Sequence, residues 1–131
     1  MNDRGILVDT SAWIEAMRPG GDGILKSRVG NVVREGRARF CDLVRLELWN
    51  GIGGDRERRW LREMEAVVDI VATTDEVWDE ARLLAAESRR SGLTVPATDL
   101  LIAACARVHG LDLLHRDSHF DKLARALDST P

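Results

Sequence analysis

The sequence predicts an α/β fold in which a central, mainly parallel β-sheet carries helices on both faces, as a three-layer sandwich. Short apolar segments alternate along the chain with longer segments whose apolar residues recur every three or four positions. That alternation is typical of parallel strands joined by crossover helices. The chain has 131 residues, of which 44% are hydrophobic, which is enough for a substantial core. We therefore expect a single domain over 1–131.

The first half of the chain predicts two strands and three helices. "GILVD" (5–9) is a short apolar run, and the following "TSAWIEAMR" predicts a helix that Pro19 and two glycines stop. Next come a helix over 23–35 that ends at Gly36, a strand over 37–41, and a helix over 42–54 that ends in glycines. Asp42 is the expected N-cap of the helix over 42–54.

The second half predicts four helices and two strands. The segment 55–68 places its large apolar side chains on one helical stripe, with arginines and acids opposite. The stripe consists of Trp60, Leu61, Met64, Val67 and Val68. The remaining elements are, in order, a strand over 69–74, a helix over 75–92, a helix over about 96–109, a strand over 111–116 and a helix over 118–127.

Composition limits the compartment and the partners. No apolar run approaches the ~20 residues of a membrane span and the N-terminus lacks the build of a signal peptide, so we expect a cytoplasmic protein without membrane contact. The net charge of −3 gives no bulk attraction to nucleic acid. Because only Lys26 and Lys122 are lysines, 17 of the 19 basic residues are arginines. A GC-rich genome is the favoured explanation, although guanidinium also suits phosphate contacts.

Two cysteines, Cys41 and Cys105, lie far apart in the sequence, each in an apolar segment. Neither belongs to a CxxC pair or to a zinc-type spacing. We expect two buried thiols in a reducing compartment.

Two aspartates follow predicted strands, at the edge of the sheet where the sites of open α/β folds lie. Asp9 closes "ILVD", and Asp117 follows "LDLLHR". Both also precede helices, and N-capping is the commoner explanation for each of them taken singly.

Two further acids, Asp99 and Glu47, are directed inward by the helical pattern. Asp99 stands past the capping position of its helix, on an apolar face formed by Ile102, Ala103 and Ala106. On a helical wheel Glu47 falls between Leu43 and Val44. Since burying an unpaired carboxylate costs several kcal/mol, a purely structural role is the weaker explanation for this pair. We expect these two acids to share one pocket with Asp9 and Asp117.

Such a pocket requires a counter-charge. At an effective dielectric constant near 20, two carboxylates ~4 Å apart repel each other by about 4 kcal/mol, so an empty pocket is strained or partly protonated. Oxygen ligands select Mg²⁺ or Mn²⁺ over zinc, and the pattern places no His–Cys cluster nearby. The sequence therefore predicts a Mg²⁺ site that Mn²⁺ can also occupy.

Three segments together resemble the acid-bearing segments of PIN-domain ribonucleases, and in size and order they resemble the VapC-type toxins of bacterial toxin–antitoxin pairs. The segments are "ILVDTSAWIEAM", "LVRLELWNGI" and "VPATDLLIAACARVHGLDLLHRDSHFDKLA". The resemblance implies a PIN-like fold and metal-assisted hydrolysis of RNA phosphodiester bonds, with charge stabilised on the phosphate and on the departing 3′ oxygen.

Carried over residue by residue, the resemblance implies that the metal is held by Asp9, Glu47, Asp99 and Asp117. Ser11 matches the small hydroxyl residue that supports the first acid, and Thr98 is a candidate for a similar supporting role. The last segment departs from the family pattern, because "DSHF" places His119 where many members have an acid. A proton-shuttle role for His115 or His119 is possible chemistry, but ordinary surface or strand-end histidines are the simpler explanation.

The resemblance also implies an RNA substrate, a homodimer, and a small cognate antitoxin that forms a hetero-oligomer with the toxin and inhibits it. The helices that carry Trp49 and Trp60 are candidates for an apolar partner groove, and burial of both tryptophans in the core is an equally good explanation. Two arginine clusters are candidates for phosphate contacts, although solvated, ion-paired faces explain them better. They consist of Arg56, Arg58, Arg59 and Arg62, and of Arg34, Arg37 and Arg39.

Three rival functions remain. A Mg²⁺-binding signalling receiver also places acids at strand ends, but it needs a lysine at a late strand end, and both lysines here lie within helical stretches. A PIN-like module that only binds partners is disfavoured because all four acids are present. A Mg²⁺-dependent nuclease that acts on DNA fits the same acids.

Overall fold

A computed structural model describes residues 4–128 of the chain. The strands of the described residues are β1 (Ile6–Val8), β2 (Ala38–Cys41), β3 (Asp69–Val71) and β4 (Asp112–Leu114). The helices are α1 (Thr10–Met17), α2 (Gly23–Arg34), α3 (Asp42–Gly51), α4 (Asp55–Val67), α5 (Asp75–Arg90), α6 (Ala97–Val108) and α7 (Ser118–Asp128). The predicted α/β fold is confirmed, and each predicted strand and helix is present.

The four strands form one sheet in the order β3-β2-β1-β4, and every neighbouring pair is parallel. The chain steps from β1 to β2 to β3 in one direction and then returns across the sheet to β4. Since crossovers between parallel strands are right-handed, this reversal places α1–α4 on one face and α5 and α6 on the other. The reversal point lies between β1 and β4, which is the crevice where open α/β sheets bind ligands.

Two predicted strands end earlier than expected. Strand β3 stops at Val71, and Thr74 already caps α5 through a hydrogen bond from the Val77 backbone N–H to its Oγ1. Strand β4 stops at Leu114 because the next backbone groups bond to side chains and not to a neighbouring strand. The Arg116 N–H donates to Ser11 Oγ at 2.9 Å. The tertiary environment at the site therefore sets the end of β4.

Helix ends follow the predicted glycines. Helices α2, α5 and α6 are each followed by a residue in the left-handed region, at φ of 72°, 73° and 66°. These residues are Gly36, Gly92 and Gly110. Only glycine adopts this conformation without a steric penalty, and the helices end where the sequence predicts.

The core lies between the sheet and its helices, and α6 is its most buried helix. Within α6, seven of the eight residues from 99 to 106 are buried, the exception being Leu101. On the other face Trp13 stacks on Phe40 with ring centroids 4.8 Å apart, and Trp60 meets Trp13 edge-on at 5.8 Å. Helix α6 is apolar nearly all round because it packs between the sheet and α5 and α7.

Both cysteines are buried and free, as predicted. The fold brings the two thiols together. The hydrogen bond with Cys41 and burial both raise the pKa of the Cys105 thiol. Among residues 4–128 no helix is both long and apolar enough to cross a bilayer.

Candidate active site

Asp9 joins β1 to α1 and lies on the crevice between β1 and β4. Its residue is 4% exposed, and its backbone N–H donates to the Leu114 carbonyl at 2.9 Å. As the N-cap of α1, its Oδ2 accepts from the Ser11 backbone N–H at 3.0 Å and from the Ser11 hydroxyl at 2.6 Å. The capping explanation for Asp9 is therefore correct. Since both bonds end on Oδ2, Oδ1 takes no part in the cap.

Asp117, like Asp9, follows a strand and precedes a helix, here β4 and α7. Its Oδ1 accepts from the His119 backbone N–H at 2.9 Å, as a residue capping α7 does. Its own backbone N–H donates to His115 Nδ1 at 3.2 Å. These bonds hold the Asp117 carboxylate, which is half-buried, at the mouth of the crevice.

Asp99 reaches the crevice from the other side, in the first turn of α6, and is only 9% exposed. The pKa of its carboxyl is raised to about 6, chiefly by burial and further by the negative charges of Asp117 and Asp9. His119 acts in the opposite direction. These effects are those of carboxylates that share one pocket without a counter-ion.

His119 completes a cluster that the sequence analysis did not assign. Its Nδ1 lies 2.9 Å from Asp117 Oδ1 and 3.3 Å from Asp99 Oδ2. One ligand atom from each of these three residues lies within 4.8 Å of the others. The signal in the sequence is the position of His119, two residues after Asp117 and at a place where many members of the resembled family have an acid. It becomes informative only once α6 is known to pack beside α7.

Glu47 is half-buried in the middle of α3, in keeping with the inward orientation that the helical pattern predicts. Its Oε1 accepts a hydrogen bond from Thr10 Oγ1 at 2.7 Å. Thr10 directly follows Asp9, so this bond joins α3 to the start of α1. Glu47 is not part of the cluster of ligand atoms within 4.8 Å.

The prediction for Asp42 was wrong. Asp42 is the first residue of α3, and the N-cap is Cys41, whose side chain makes no capping hydrogen bond within residues 4–128. Asp42 is exposed and lies 3.6 Å from Arg45 as an i,i+3 pair, where the positive end of the helix dipole favours a carboxylate.

Two hydroxyl residues were predicted to support the acids, and the structure separates them. The Ser11 hydroxyl donates to Asp9 and accepts from the Arg116 backbone N–H, so it links the ends of β1 and β4. Thr98 is exposed on the first turn of α6 and makes no side-chain hydrogen bond within residues 4–128. The structure thus gives Ser11 the geometry of a supporting residue and gives Thr98 none.

The residues of the cluster fit a divalent cation. The His119 Nδ1 atom is buried and forms no hydrogen bond among the described residues, although carboxylate oxygens surround it. Donor atoms around a small octahedral ion at ~2.1 Å are separated by about 3–4 Å, which is close to the spacing here. Asp99, Asp117 and His119 can therefore hold such an ion, with Asp9 adding negative charge beside it.

The model of the PIN domain matches residues 6–126 of the chain. The chain is 34% identical over 124 residues to the VapC ribonuclease Mb1587 of Mycobacterium bovis, covering 92% of each protein. It is 35% identical over 124 residues to ribonuclease VapC51 of Mycobacterium tuberculosis, covering 90% of this chain and 84% of that protein.

Solved structures agree on the fold. The structure of VapBC2 from Rickettsia felis bound to a promoter DNA fragment matches with a TM-score of 0.77 and 17% identity, over 90% of this chain and 92% of that one. FitAcB from Neisseria gonorrhoeae matches with a TM-score of 0.74 and 20% identity, over 92% and 93%. By fold, family model and sequence identity, this chain belongs to the PIN-domain family.

Proposed function

We propose that this protein is a metal-dependent endoribonuclease and the toxin of a toxin–antitoxin pair. The observation that carries the proposal is the convergence of Asp99, Asp117 and His119, with Asp9 beside them, at the point where the sheet reverses direction. Relatives that are 34–35% identical over most of the chain are named VapC ribonucleases, which supports RNA as the substrate.

Asp9, Glu47, Asp99 and Asp117 hold the metal in this proposal. When bound, Mg²⁺ or Mn²⁺ supplies Lewis acidity to the phosphodiester and lowers the pKa of the attacking water. The protein supplies the geometry. Ser11 fixes one oxygen of Asp9, and burial of Asp99 keeps its carboxylate poorly solvated and strongly attractive to a cation.

An antitoxin is the proposed partner, and a groove between α1, α2 and α4 is its proposed binding site. Solved neighbours include a toxin–antitoxin complex from Klebsiella pneumoniae and VapBC-1 from nontypeable Haemophilus influenzae. The groove has a volume of about 410 Å³, and its lining includes Trp13, Val29, Trp60 and Met64. Apolar grooves of this kind accept the apolar face of a partner helix. A homodimer and a cytoplasmic location remain part of the proposal.

The sequence analysis named Trp49 and Trp60 as candidates for this groove, but only one of them lines it. Trp60 lines it. Trp49 instead donates its indole N–H to Glu65 at 3.3 Å and lies 5.8 Å below the Arg62 guanidinium, where it joins α3 to α4. The groove hypothesis therefore rests on Trp60.

Cleavage by purified, antitoxin-free protein tests the nuclease activity. A broad RNA pool and a matched DNA pool are incubated with Mg²⁺, with Mn²⁺ or with chelator. The Asp99→Asn variant tests the site, and Asp69→Asn, at an exposed position of β3, is its control.

Metal-dependent cleavage of RNA by the wild type and by Asp69→Asn, but not by Asp99→Asn, is the expected result. Cleavage of DNA alone identifies the rival nuclease. Absence of cleavage in protein that binds metal leaves two explanations, a narrow target that the pool lacks or a module that only binds partners.

A further inference from the structure

We propose that His119 is a nitrogen ligand of the metal ion in this site, and that it makes the site favour Mn²⁺ over Mg²⁺. This inference rests on the proposed function, because it concerns the ion that the same cluster would hold.

The position of the imidazole carries the inference. The first turn of α7 fixes the backbone of His119, because its N–H donates to Asp117 Oδ1 at 2.9 Å. The side chain is 37% exposed, but the Nδ1 atom itself is buried and faces the oxygens of Asp117 and Asp99, at 2.9 and 3.3 Å.

Nδ1 approaches both carboxylates without a hydrogen bond to either. An imidazole that served only as a hydrogen-bond donor would align its N–H with one oxygen. His119 Nδ1 and one carboxylate oxygen each from Asp99 and Asp117 instead lie within 4.8 Å of one another, which is the arrangement of ligands of a common cation. The burial of Nδ1 argues in the same direction, since a buried polar atom without a partner is costly.

The histidine next to Asp117 on the other side is already engaged. His115 Nδ1 accepts from the Asp117 backbone N–H at 3.2 Å, and its ring packs against Phe120 with centroids 4.9 Å apart. His115 Nε2 lies 3.7 Å from the exposed Asp121. His115 is therefore a matched control that shares the segment and the residue type but belongs to no cluster of ligand atoms among residues 4–128.

The donor set determines which ion binds best. Mg²⁺ is a hard cation that prefers oxygen ligands and keeps several waters. Imidazole is a typical ligand of first-row transition ions, a series in which Mn²⁺ binds most weakly, whereas Mg²⁺ is not among the ions that imidazole suits. Replacing one oxygen donor by a nitrogen therefore weakens Mg²⁺ binding more than Mn²⁺ binding.

The experiment is pulsed electron paramagnetic resonance on the full-length, untagged protein loaded with Mn²⁺ alone. Directly bound imidazole gives ¹⁴N modulation of the electron spin echo, whereas carboxylate ligands give none. We expect ¹⁴N modulation in the wild type and in His115→Asn, and its loss in His119→Asn. In parallel, calorimetric titration with Mn²⁺ and with Mg²⁺ measures the ratio of the two affinities. We expect that ratio to fall at least tenfold in His119→Asp.

The proposal is overturned by bound Mn²⁺ without ¹⁴N modulation, or by an affinity ratio that His119→Asp leaves unchanged. Either result is compatible with a nuclease whose ligands are all oxygens, so the proposed function would stand. If neither ion binds, the ligand assignment and the metal-dependent function both fail. Should His119→Asn not fold, ¹⁴N modulation in both the wild type and His115→Asn still supports His119, because the third histidine, His109, is bonded through Nε2 to the Ala72 carbonyl.

Discussion

At the scale of one residue, the buried position of the Asp99 carboxyl conflicts with its negative charge. It is buried in the first turn of α6, and its nearest charged neighbours include Asp117 and Asp9. A pKa raised to about 6 means that the folded protein resists ionising this group. Binding of a cation removes the conflict, so the residue that destabilises the metal-free protein is the one that attracts the metal.

Asp99→Asn is therefore expected to stabilise the metal-free protein and to abolish its stabilisation by metal. Asparagine keeps the volume of the side chain but cannot ionise. A rise of the pKa from 3.8 to about 6 corresponds to at most about 3 kcal/mol of unfolding free energy. Urea denaturation at pH 7.5, with chelator or with Mg²⁺, measures both effects. Equal stability of the variant and the wild type under both conditions contradicts the shared pocket.

The stabilisation by Asp99→Asn is also expected to depend on pH. Because the pKa of Asp99 is higher in the folded state, the unfolded chain loses its proton first as the pH rises from about 4 to 6. Ionisation of Asp99 therefore lowers the unfolding free energy as the pH rises across that interval. The gain from Asp99→Asn should be near zero at pH 4 and full above pH 6. A gain that is constant across this interval would show that charge is not its cause, and Asp69→Asn serves as the control.

Some residues of the candidate site stand out in the sequence and others do not, for a physical reason. Asp9 and Asp117 are placed by local rules, because each stands between a strand and a helix. Asp99 and Glu47 are visible because a carboxylate on an apolar helical face is unusual. His119 is ordinary in its local context, and its meaning depends on the packing of α6 against α7, which no local pattern encodes.

At the scale of elements, a hydrogen bond from Thr10 to Glu47 joins the start of α1 to the middle of α3. It fixes the orientation of a half-buried glutamate that lies outside the tight cluster. Helix periodicity predicted that Glu47 faces inward, but the partner that orients it comes from an element 37 residues away.

Thr10→Val is expected to lower RNA cleavage at least tenfold while changing the unfolding free energy by no more than about 1.5 kcal/mol. Valine keeps the shape of threonine and removes the hydroxyl that orients Glu47. Thr10→Ser keeps the hydroxyl and should retain most of the activity. Cleavage rates and urea midpoints of the two variants decide the matter. Equal cleavage by both variants would show that the hydrogen bond from Thr10 to Glu47 does not contribute to activity.

A second prediction at this scale concerns the turn between α1 and α2. A Cβ added at Gly21 would lie 2.0 Å from the Glu15 carbonyl oxygen of α1, whereas one at Gly20 would have no atom within 4 Å. Glu15 is also the ion-pair partner of Arg116, next to Asp117. Gly21→Ala should therefore destabilise the protein by about 1–3 kcal/mol or more, and Gly20→Ala should leave it nearly unchanged. Urea denaturation of both variants tests this, and similar midpoints would contradict the close approach.

At the scale of the whole molecule, the order of the strands assembles the site. Alternating strands and helices predicted a parallel sheet, but they did not predict the order β3-β2-β1-β4. That order follows from the packing of complete crossover units. It places the ends of β1 and β4 side by side, so that residues more than 100 positions apart in the chain meet. Asp9 and Asp117 are neighbours for this reason.

The arginine clusters predicted from the sequence are partly engaged within the protein. Arg58 pairs with Asp55 at 2.9 Å, Arg37 pairs with Glu35 at 3.0 Å, and Arg62 lies over Trp49. Pairing with nearby acids, as the sequence favoured, therefore accounts for part of these clusters.

The partner groove is the last feature at this scale. Trp60 is half-buried, and it meets Trp13 while lining the groove between α1, α2 and α4, so it serves the core and the groove together. Trp60→Ala is expected to weaken antitoxin binding at least tenfold while the far-ultraviolet circular dichroism stays that of the folded protein. The lost packing should lower the unfolding free energy by about 1–3 kcal/mol.

Trp78→Ala is the matched control, because Trp78 is 48% exposed on α5 and does not line the groove. Calorimetric titration of each variant with the antitoxin, isolated by co-purification with the tagged chain, measures the affinities. Weaker binding by Trp60→Ala alone places the antitoxin in this groove, since the two variants lose the same side chain. An unchanged affinity in a folded Trp60→Ala variant excludes the groove. Unfolding of that variant shows that the contact of Trp60 with Trp13 is required by the core.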